Sequence, residues 1–177
     1  MTAPRDVRVS FARVLLPVWL VTAAWEFVCA SSLSVFAYHT PVPRLWRGVA
    51  ATVLWPAAFD GGARAVVVGL GLHLAVALTW SVLLVAAVRQ WPALRDAIRT
   101  RAGALAVAMA YGPAIWLAMS LLVIPLATGR PPSFGLRWWV QIFAHVPFVT
   151  IPLVFTTRRV LSAAAWPSTA RFANTEA

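Results

Sequence analysis

Three side chains that can exchange a proton lie inside long apolar stretches of this chain: Glu26, His73 and His145. A carboxylate and an imidazole that meet inside a membrane can bind and pass on protons, and such groups mark ion and proton paths. Two imidazoles and one carboxylate are also ligands that transition metals accept. Because a lone charge is costly in hydrocarbon, we expect Glu26 to be paired with a histidine, hydrated or protonated.

The stretches that carry these residues are long enough to cross a membrane. They cover residues 14–37, 65–88, 102–127 and 138–157, and Glu26 is the one Asp, Glu, Lys or Arg within them. A helix of about 20 residues crosses a hydrocarbon layer of about 30 Å. Residues 65–88 are apolar nearly all round, unlike an amphipathic helix of a soluble core. We therefore predict an all-α protein, a four-helix transmembrane bundle that forms a single membrane domain over residues 1–177.

The three titratable residues are predicted to lie at similar depths. With a rise of about 1.5 Å per residue, Glu26 lies about 1–2 Å past the centre of its span. His73 and His145 lie about 4–5 Å and about 4 Å toward the outer side of theirs. A bundle that turns these faces inward would form one polar cluster. Gln141 beside His145, and Tyr111 and Ser120 of the third span, could add hydrogen bonds to it.

Four hypotheses fit such a cluster. It could be a hydrogen-bonded knot that fixes helix register, with no cofactor, or a proton relay or transport site. A metal site formed by His73, His145 and Glu26, or a haem held between the two histidines, is a further alternative. No glycine-rich phosphate loop, nucleophile elbow or catalytic carboxylate pair is present, which favours a non-enzymatic role. An intramembrane enzyme that acts on lipid stays open.

The connection between the first two spans carries its own pattern. Pro43 could begin a helix and Pro56 disfavours helix at Trp55, and apolar residues between them recur near helical spacing. This predicts a short interfacial amphipathic helix over residues 43–55, with a re-entrant segment as the alternative. Asp60 is expected to cap the next span, with Gly61 and Gly62 allowing a tight entry.

Small residues predict how the spans pack. Close backbone approach drives helix association in lipid. Gly69, His73 and Ala77 share one face of the second span. In the third span, alanines recur every fourth residue and predict a packing ridge, and Gly112-Pro113 predicts the strongest kink. The ridge consists of Ala102, Ala106, Ala110, Ala114 and Ala118.

The basic residues indicate orientation. The net charge is +10, with 15 arginines and no lysine. Ten arginines fall on the side of both termini and five on the other, which predicts that both termini are cytoplasmic. The arginines flank spans, so the expected partner is the lipid bilayer and not a nucleic acid. The lone Cys29 is expected to be a packing residue, and residues 162–177 are expected to be a flexible tail.

Several segments resemble a family of small, uncharacterised bacterial integral membrane proteins with four spans. The matching segments are Pro56–Gly62, Gly69–Ala77, Tyr111–Trp116, Met119–Leu126 and His145. The resemblance covers roughly residues 40–160 and implies a four-span fold in a bacterial inner membrane. Trp25-Glu26 in the first span is also similar to small multidrug-resistance transporters, in which a first-span glutamate exchanges protons for cationic drugs. This chain departs from them in its length, its large first loop and its two intramembrane histidines.

The sequence thus predicts a multi-pass bacterial inner-membrane protein whose specific activity it does not define. A proton-coupled small-molecule transporter, acting as a homo-oligomer, is the first alternative, and a metal- or haem-binding membrane redox subunit is the second.

Overall fold

Four helices long and apolar enough to cross a membrane dominate the computed structural model, which describes residues 10–164. They cover Phe11–Phe36, Gly62–Gln90, Arg101–Thr128 and Leu136–Ala163. Seven of these eight helix ends lie within three residues of the predicted bounds, and the fourth span continues six residues beyond its predicted end. No strand occurs in the described part of the chain. The prediction of an all-α four-helix bundle is therefore confirmed. Of the expected flexible tail, residues 162–164 are helical and the rest lies outside the described residues.

Two of the spans are uninterrupted helices. Helix α1 covers Phe11–Phe36. Ser10 is its N-cap residue, and the Ser10 Oγ accepts a hydrogen bond from the Arg13 amide at 3.3 Å. Helix α3 covers Gly62–Gln90. Between them, α2 covers Val42–Leu54 with a proline in its first turn, one residue from the predicted bounds at each end. A short helix, α4, follows α3 over Pro92–Ala97.

The other two spans each contain one π-helical turn. The third consists of α5 (Arg101–Ala118), a π turn (119–123) and α6 (Ile124–Thr128). The fourth consists of α7 (Leu136–His145), a π turn (146–150) and α8 (Ile151–Ala164). Proline, which lacks an amide hydrogen, lies just after the first π turn and inside the second. Helix α5 stays α-helical through Pro113, so the departures from α-helix lie elsewhere than at Gly112-Pro113.

One end of the bundle is closed by a core of branched and small side chains. The core is formed by the first turns of α1, the last turns of α3 and the first half of α5, together with residues of α8. Its members are Val14, Val18, Leu84, Val85, Val88, Ile98, Ala104, Ala108, Leu153 and Val154. This end carries the start of α1 and the α4 connection.

The buried stripes of α3 and α5 follow small residues. Gly69, His73 and Ala77 are buried as predicted, on a stripe that continues with Ala65 and Ser81. Helix α5 uses a different face from the one predicted. Its buried residues are Ala104, Ala108, Gly112 and Ile115, whereas Ala102, Ala106, Ala110 and Ala114 are exposed.

Helix α2 packs closely against the N-terminal half of α3. A Cβ atom at Gly69 would lie 1.9 Å from the Trp46 carbonyl oxygen, so only glycine permits this approach. Gly69 lies seven residues into α3, about 10 Å along the helix axis. Trp46 is 2% exposed, and its ring stacks on Phe27 of α1. Trp46 is thus a packing residue between α1, α2 and α3.

Candidate functional site

A cavity of about 970 Å³ occupies the half of the bundle opposite the closed core. Its walls come from α1, α2, α3 and both interrupted spans, and the two π turns contribute Met119, Val123 and Val149. Small-molecule sites have volumes of about 300–1,000 Å³, so this cavity is large enough for a ligand. Most of its wall is apolar. Its polar lining residues within the spans are Thr22, Glu26, Ser34, His73, Gln141 and His145.

Glu26 and His73 meet in the wall of this cavity. Oε2 of Glu26 lies 4.0 Å from Nδ1 of His73, and the two side chains are 26% and 9% exposed. The other ring nitrogen, Nε2, lies 3.1 Å from the carbonyl oxygen of Ala23. A carbonyl oxygen only accepts hydrogen bonds, so Nε2 carries a hydrogen. A neutral His73 therefore presents the unprotonated Nδ1 to the Glu26 carboxyl group.

The position of His73 is fixed by its neighbours. Its ring lies 5.1 Å from that of Trp46, at an interplanar angle of 59°. Trp46 in turn stacks on Phe27 at 5.2 Å. Helix α2 thus holds the histidine against α1, where Glu26 is one turn beyond Ala23. The Glu26–His73 pair depends on contacts among three helices.

His145 lies in the same cavity, and it is held by its own helix. Its Nδ1 donates to the Gln141 carbonyl oxygen at 2.7 Å, and its ring lies 5.1 Å from that of Trp116. A recess of about 80 Å³ is lined by His145, Gln141 and Glu26. Among the described residues, no hydrogen bond joins His145 to Glu26. The structure therefore brings four of the six predicted cluster residues, Glu26, His73, Gln141 and His145, to one cavity and pairs the first two of them.

Tyr111, another predicted cluster residue, does not line the cavity within the described structure. Its hydroxyl donates to the Trp80 carbonyl oxygen at 3.1 Å, and the two rings meet edge to face at 6.1 Å. Trp80 lines the cavity. Tyr111 therefore supports a wall residue from behind. Ser120 is buried, and its hydroxyl has no hydrogen-bond partner among the described residues.

The predicted cap at Asp60 is not formed. Gly61 is the N-cap residue of α3, and no side chain caps this helix. Asp60 is exposed and lies one residue before Gly61, the N-cap position. A carboxylate accepts hydrogen bonds from the amides of the first turn when it stands at the N-cap position itself. The predicted use of the glycines is supported by Gly62, which has a φ of 54°. That conformation favours glycine.

The metal hypothesis finds no support in the geometry. Within the described chain, no three His, Cys, Asp or Glu side chains are grouped so that they could hold a metal ion. His73, His145 and Glu26 line one cavity, but their side chains are not grouped closely enough there to bind one ion. The described part of the chain therefore gives no support to the metal or haem hypothesis.

Sequence reasoning missed two arginines at the mouth of the cavity. Arg44 of α2 and Arg137 of α7 line it together with Tyr38 and His39. The guanidinium carbon of Arg137 lies 4.3 Å from the Tyr38 ring centroid. The two arginines are far apart in the chain and were expected to serve only as flanking charges, so no sequence signal linked them.

Comparison with protein-family models, with curated proteins and with solved structures found no match to this chain. The resemblance to a four-span family therefore stays a prediction, and the functional argument depends on the cavity.

Proposed function

We propose that this multi-pass membrane protein is a proton-coupled transporter of a small, largely apolar molecule. The observation that carries the proposal is the Glu26–His73 pair, with 4.0 Å between Oε2 and Nδ1, in the wall of a cavity of about 970 Å³. We place the protein in a bacterial cytoplasmic membrane, with both termini in the cytoplasm. The cavity then faces the outside, because its mouth lies at the end that carries five of the 15 arginines.

The pair is suited to bind a proton reversibly. A carboxylate that faces the lone pair of Nδ1 is repelled by it, whereas a proton on either atom creates an attraction. The proton can therefore reside on Glu26 or on His73 with little movement of heavy atoms. Binding of a ligand beside the pair changes the free energy of this proton, and by linkage the proton changes the affinity for the ligand.

The shape of the bundle also suits a transporter. The cavity ends against the closed core around Val18, Leu84 and Leu153, which separates it from the other membrane face. Transport requires this core to open while the mouth closes. Both π turns contribute to the cavity wall, and π turns within α-helices often lie at functional sites.

A pH jump on proteoliposomes adsorbed to a solid-supported membrane tests the proton site without a known ligand. Proton binding inside the bundle displaces charge across part of the membrane, so the wild type is expected to give a transient current. Glu26→Gln keeps the size of the side chain and removes its proton exchange, so the current should fall to the level of empty liposomes. Asp96→Asn is the matched control, because Asp96 is 66% exposed beside Arg99 at the closed end.

A purely structural polar knot gives a different result. In that case Glu26→Gln lowers the thermal stability in detergent and leaves the transient current equal to that of Asp96→Asn. This outcome would refute the transport proposal.

A further inference from the structure

The walls of the cavity also restrict the chemistry of its ligand. We propose that the ligand is an amphipathic acid, with its carboxylate or phosphate at the mouth between Arg44 and Arg137 and its apolar part inside. This inference rests on the proposed function, because it concerns the same cavity, but it can be tested separately.

The charge at the mouth is the first argument. Arg44 and Arg137 line the cavity, and both are exposed. The connections at this end, residues 37–61 and 129–135, contain Asp60 as their one acidic residue, against Arg44, Arg47 and Arg130. Among the described residues, the side chain of Arg44 has no hydrogen bond, ion pair or ring contact, and only its backbone amide is bonded, to Pro41 O. A cleft lined by one sign of charge concentrates ligands of the opposite sign, so this mouth attracts anions and repels cations.

The position of the acid in the protein is the second argument. Glu26 lies inside the first span, and Nδ1 of His73 is 4.0 Å from its carboxylate. A cationic ligand would have to pass Arg44 and Arg137 before it reached this carboxylate. The cavity therefore differs in charge arrangement from a transporter of cationic drugs, although the Trp25-Glu26 pair resembles one.

Binding of radiolabelled decanoate to the protein in phosphatidylcholine nanodiscs tests the proposal, with empty nanodiscs as the blank. Decanol and decyltrimethylammonium share the alkyl chain of decanoate and differ in the charge of the head group. We expect unlabelled decanoate to displace the probe at concentrations at least about tenfold lower than either analogue. Displacement by decyltrimethylammonium as effective as that by decanoate would overturn the proposal, as would no specific binding of decanoate.

Substitutions at the mouth locate the head group. Arg44→Gln and Arg137→Gln should each weaken decanoate binding about tenfold, which corresponds to the loss of about 1.4 kcal/mol from one charge-assisted contact. Arg64→Gln is the control, because Arg64 is exposed at the same end of the bundle and does not line the cavity within the described structure. An equal loss in Arg64→Gln would show a general charge effect and would refute the site. Arg137→Gln also removes the contact with Tyr38. If that variant fails to fold, the result for Arg44→Gln alone tests the head-group site.

A third arm identifies the source of the acid. Anionic lipid head groups also carry a phosphate or carboxylate, and arginines at a membrane surface attract them. Nanodiscs that contain phosphatidylglycerol should weaken decanoate binding to the wild type if a lipid occupies the site, and leave it unchanged if the ligand is a free acid. Either result supports the acid site. The pH-jump current is independent of these assays, so the proton proposal can fail while the ligand proposal holds, and the reverse.

Discussion

Several hydroxyl groups inside the spans donate to a carbonyl oxygen one turn earlier in their own helix. Ser81 donates to Ala77 O at 2.7 Å, and Thr157 donates to Leu153 O at 2.8 Å, each four residues earlier. Thr150 is an exception. Its hydroxyl lies 2.7 Å from Ala108 O on α5 and 3.3 Å from two carbonyl oxygens of its own span. The shortest of these hydrogen bonds therefore links the π turn of the fourth span to the third span.

This difference predicts unequal effects of two isosteric substitutions. Thr150 and Thr157 are both fully buried. Thr150→Val should lower the free energy of unfolding by about 0.6–1.7 kcal/mol, the range measured for hydrogen bonds between membrane helices. Thr157→Val removes a bond within one helix and should cost less. Unfolding in mixed micelles with increasing dodecyl sulfate measures both variants, and equal losses would contradict the interhelical role of Thr150.

At the scale of the elements, glycines set the distances between helices. Gly69 allows α2 to contact α3, and Gly112 allows α5 to contact the π turn of the fourth span. A Cβ atom at Gly112 would lie 2.9 Å from the Thr150 hydroxyl and 3.0 Å from the Val146 amide. Gly112 was predicted to take part in a kink with Pro113, and its contacts show that it also permits close approach of the two spans. The docking of α2 in turn places Trp46 on His73 and thereby shapes the site.

Two glycines two residues apart provide a matched test of this docking. Gly69→Ala brings a Cβ atom to 1.9 Å from Trp46 O, whereas a Cβ atom at Gly71 meets nothing within 4 Å. Overpacking costs about 1–3 kcal/mol, so Gly69→Ala should lower the thermal stability in detergent and change the near-ultraviolet dichroism of Trp46. Gly71→Ala should be neutral or stabilising by up to about 1 kcal/mol, because alanine favours helix. If both variants behaved alike, the close contact at Gly69 would not control the docking.

The whole molecule is asymmetric along the bundle axis. Branched residues such as Val14, Val88 and Val154 fill one end, and the cavity occupies the other. Arginines at both ends donate to backbone carbonyl oxygens, as Arg47 does to Phe59 O at 2.8 Å at the open end. At the closed end, Arg158 donates to Arg99 O at 3.2 Å and Arg95 donates to Arg89 O at 2.8 Å. Backbone carbonyl groups near helix ends thus bind two of the guanidinium groups at the arginine-rich end.

The orientation of the bundle is tested by labelling cysteines in intact cells of the expression host. In a Cys29→Ala background, Asp60→Cys places a thiol at the open end and Asp96→Cys places one at the closed end. The arginine distribution predicts that a membrane-impermeant maleimide labels the first variant in intact cells and the second only after permeabilisation. The opposite pattern would mean that the cavity opens toward the cytoplasm and would reverse the proposed direction of access.

The sequence by itself predicted the four long helices and a shared level for the polar residues within them. Hydropathy over about 20 residues and a fixed rise per residue are local properties, so the four helices and the shared level of Glu26, His73 and His145 follow without knowledge of packing. The proline and apolar pattern also located α2 to within one residue at each end.

Only the tertiary structure decided which faces meet. Lipid tails are as apolar as leucine side chains, so hydropathy does not distinguish a face that packs on protein from one that faces lipid. The predicted alanine ridge from Ala102 to Ala118 is therefore largely exposed, while Ala104, Ala108 and Gly112 form the contact. For the same reason the sequence joined Tyr111 to the cluster and left out Arg44 and Arg137, whose approach depends on how α2 and α7 pack around the cavity.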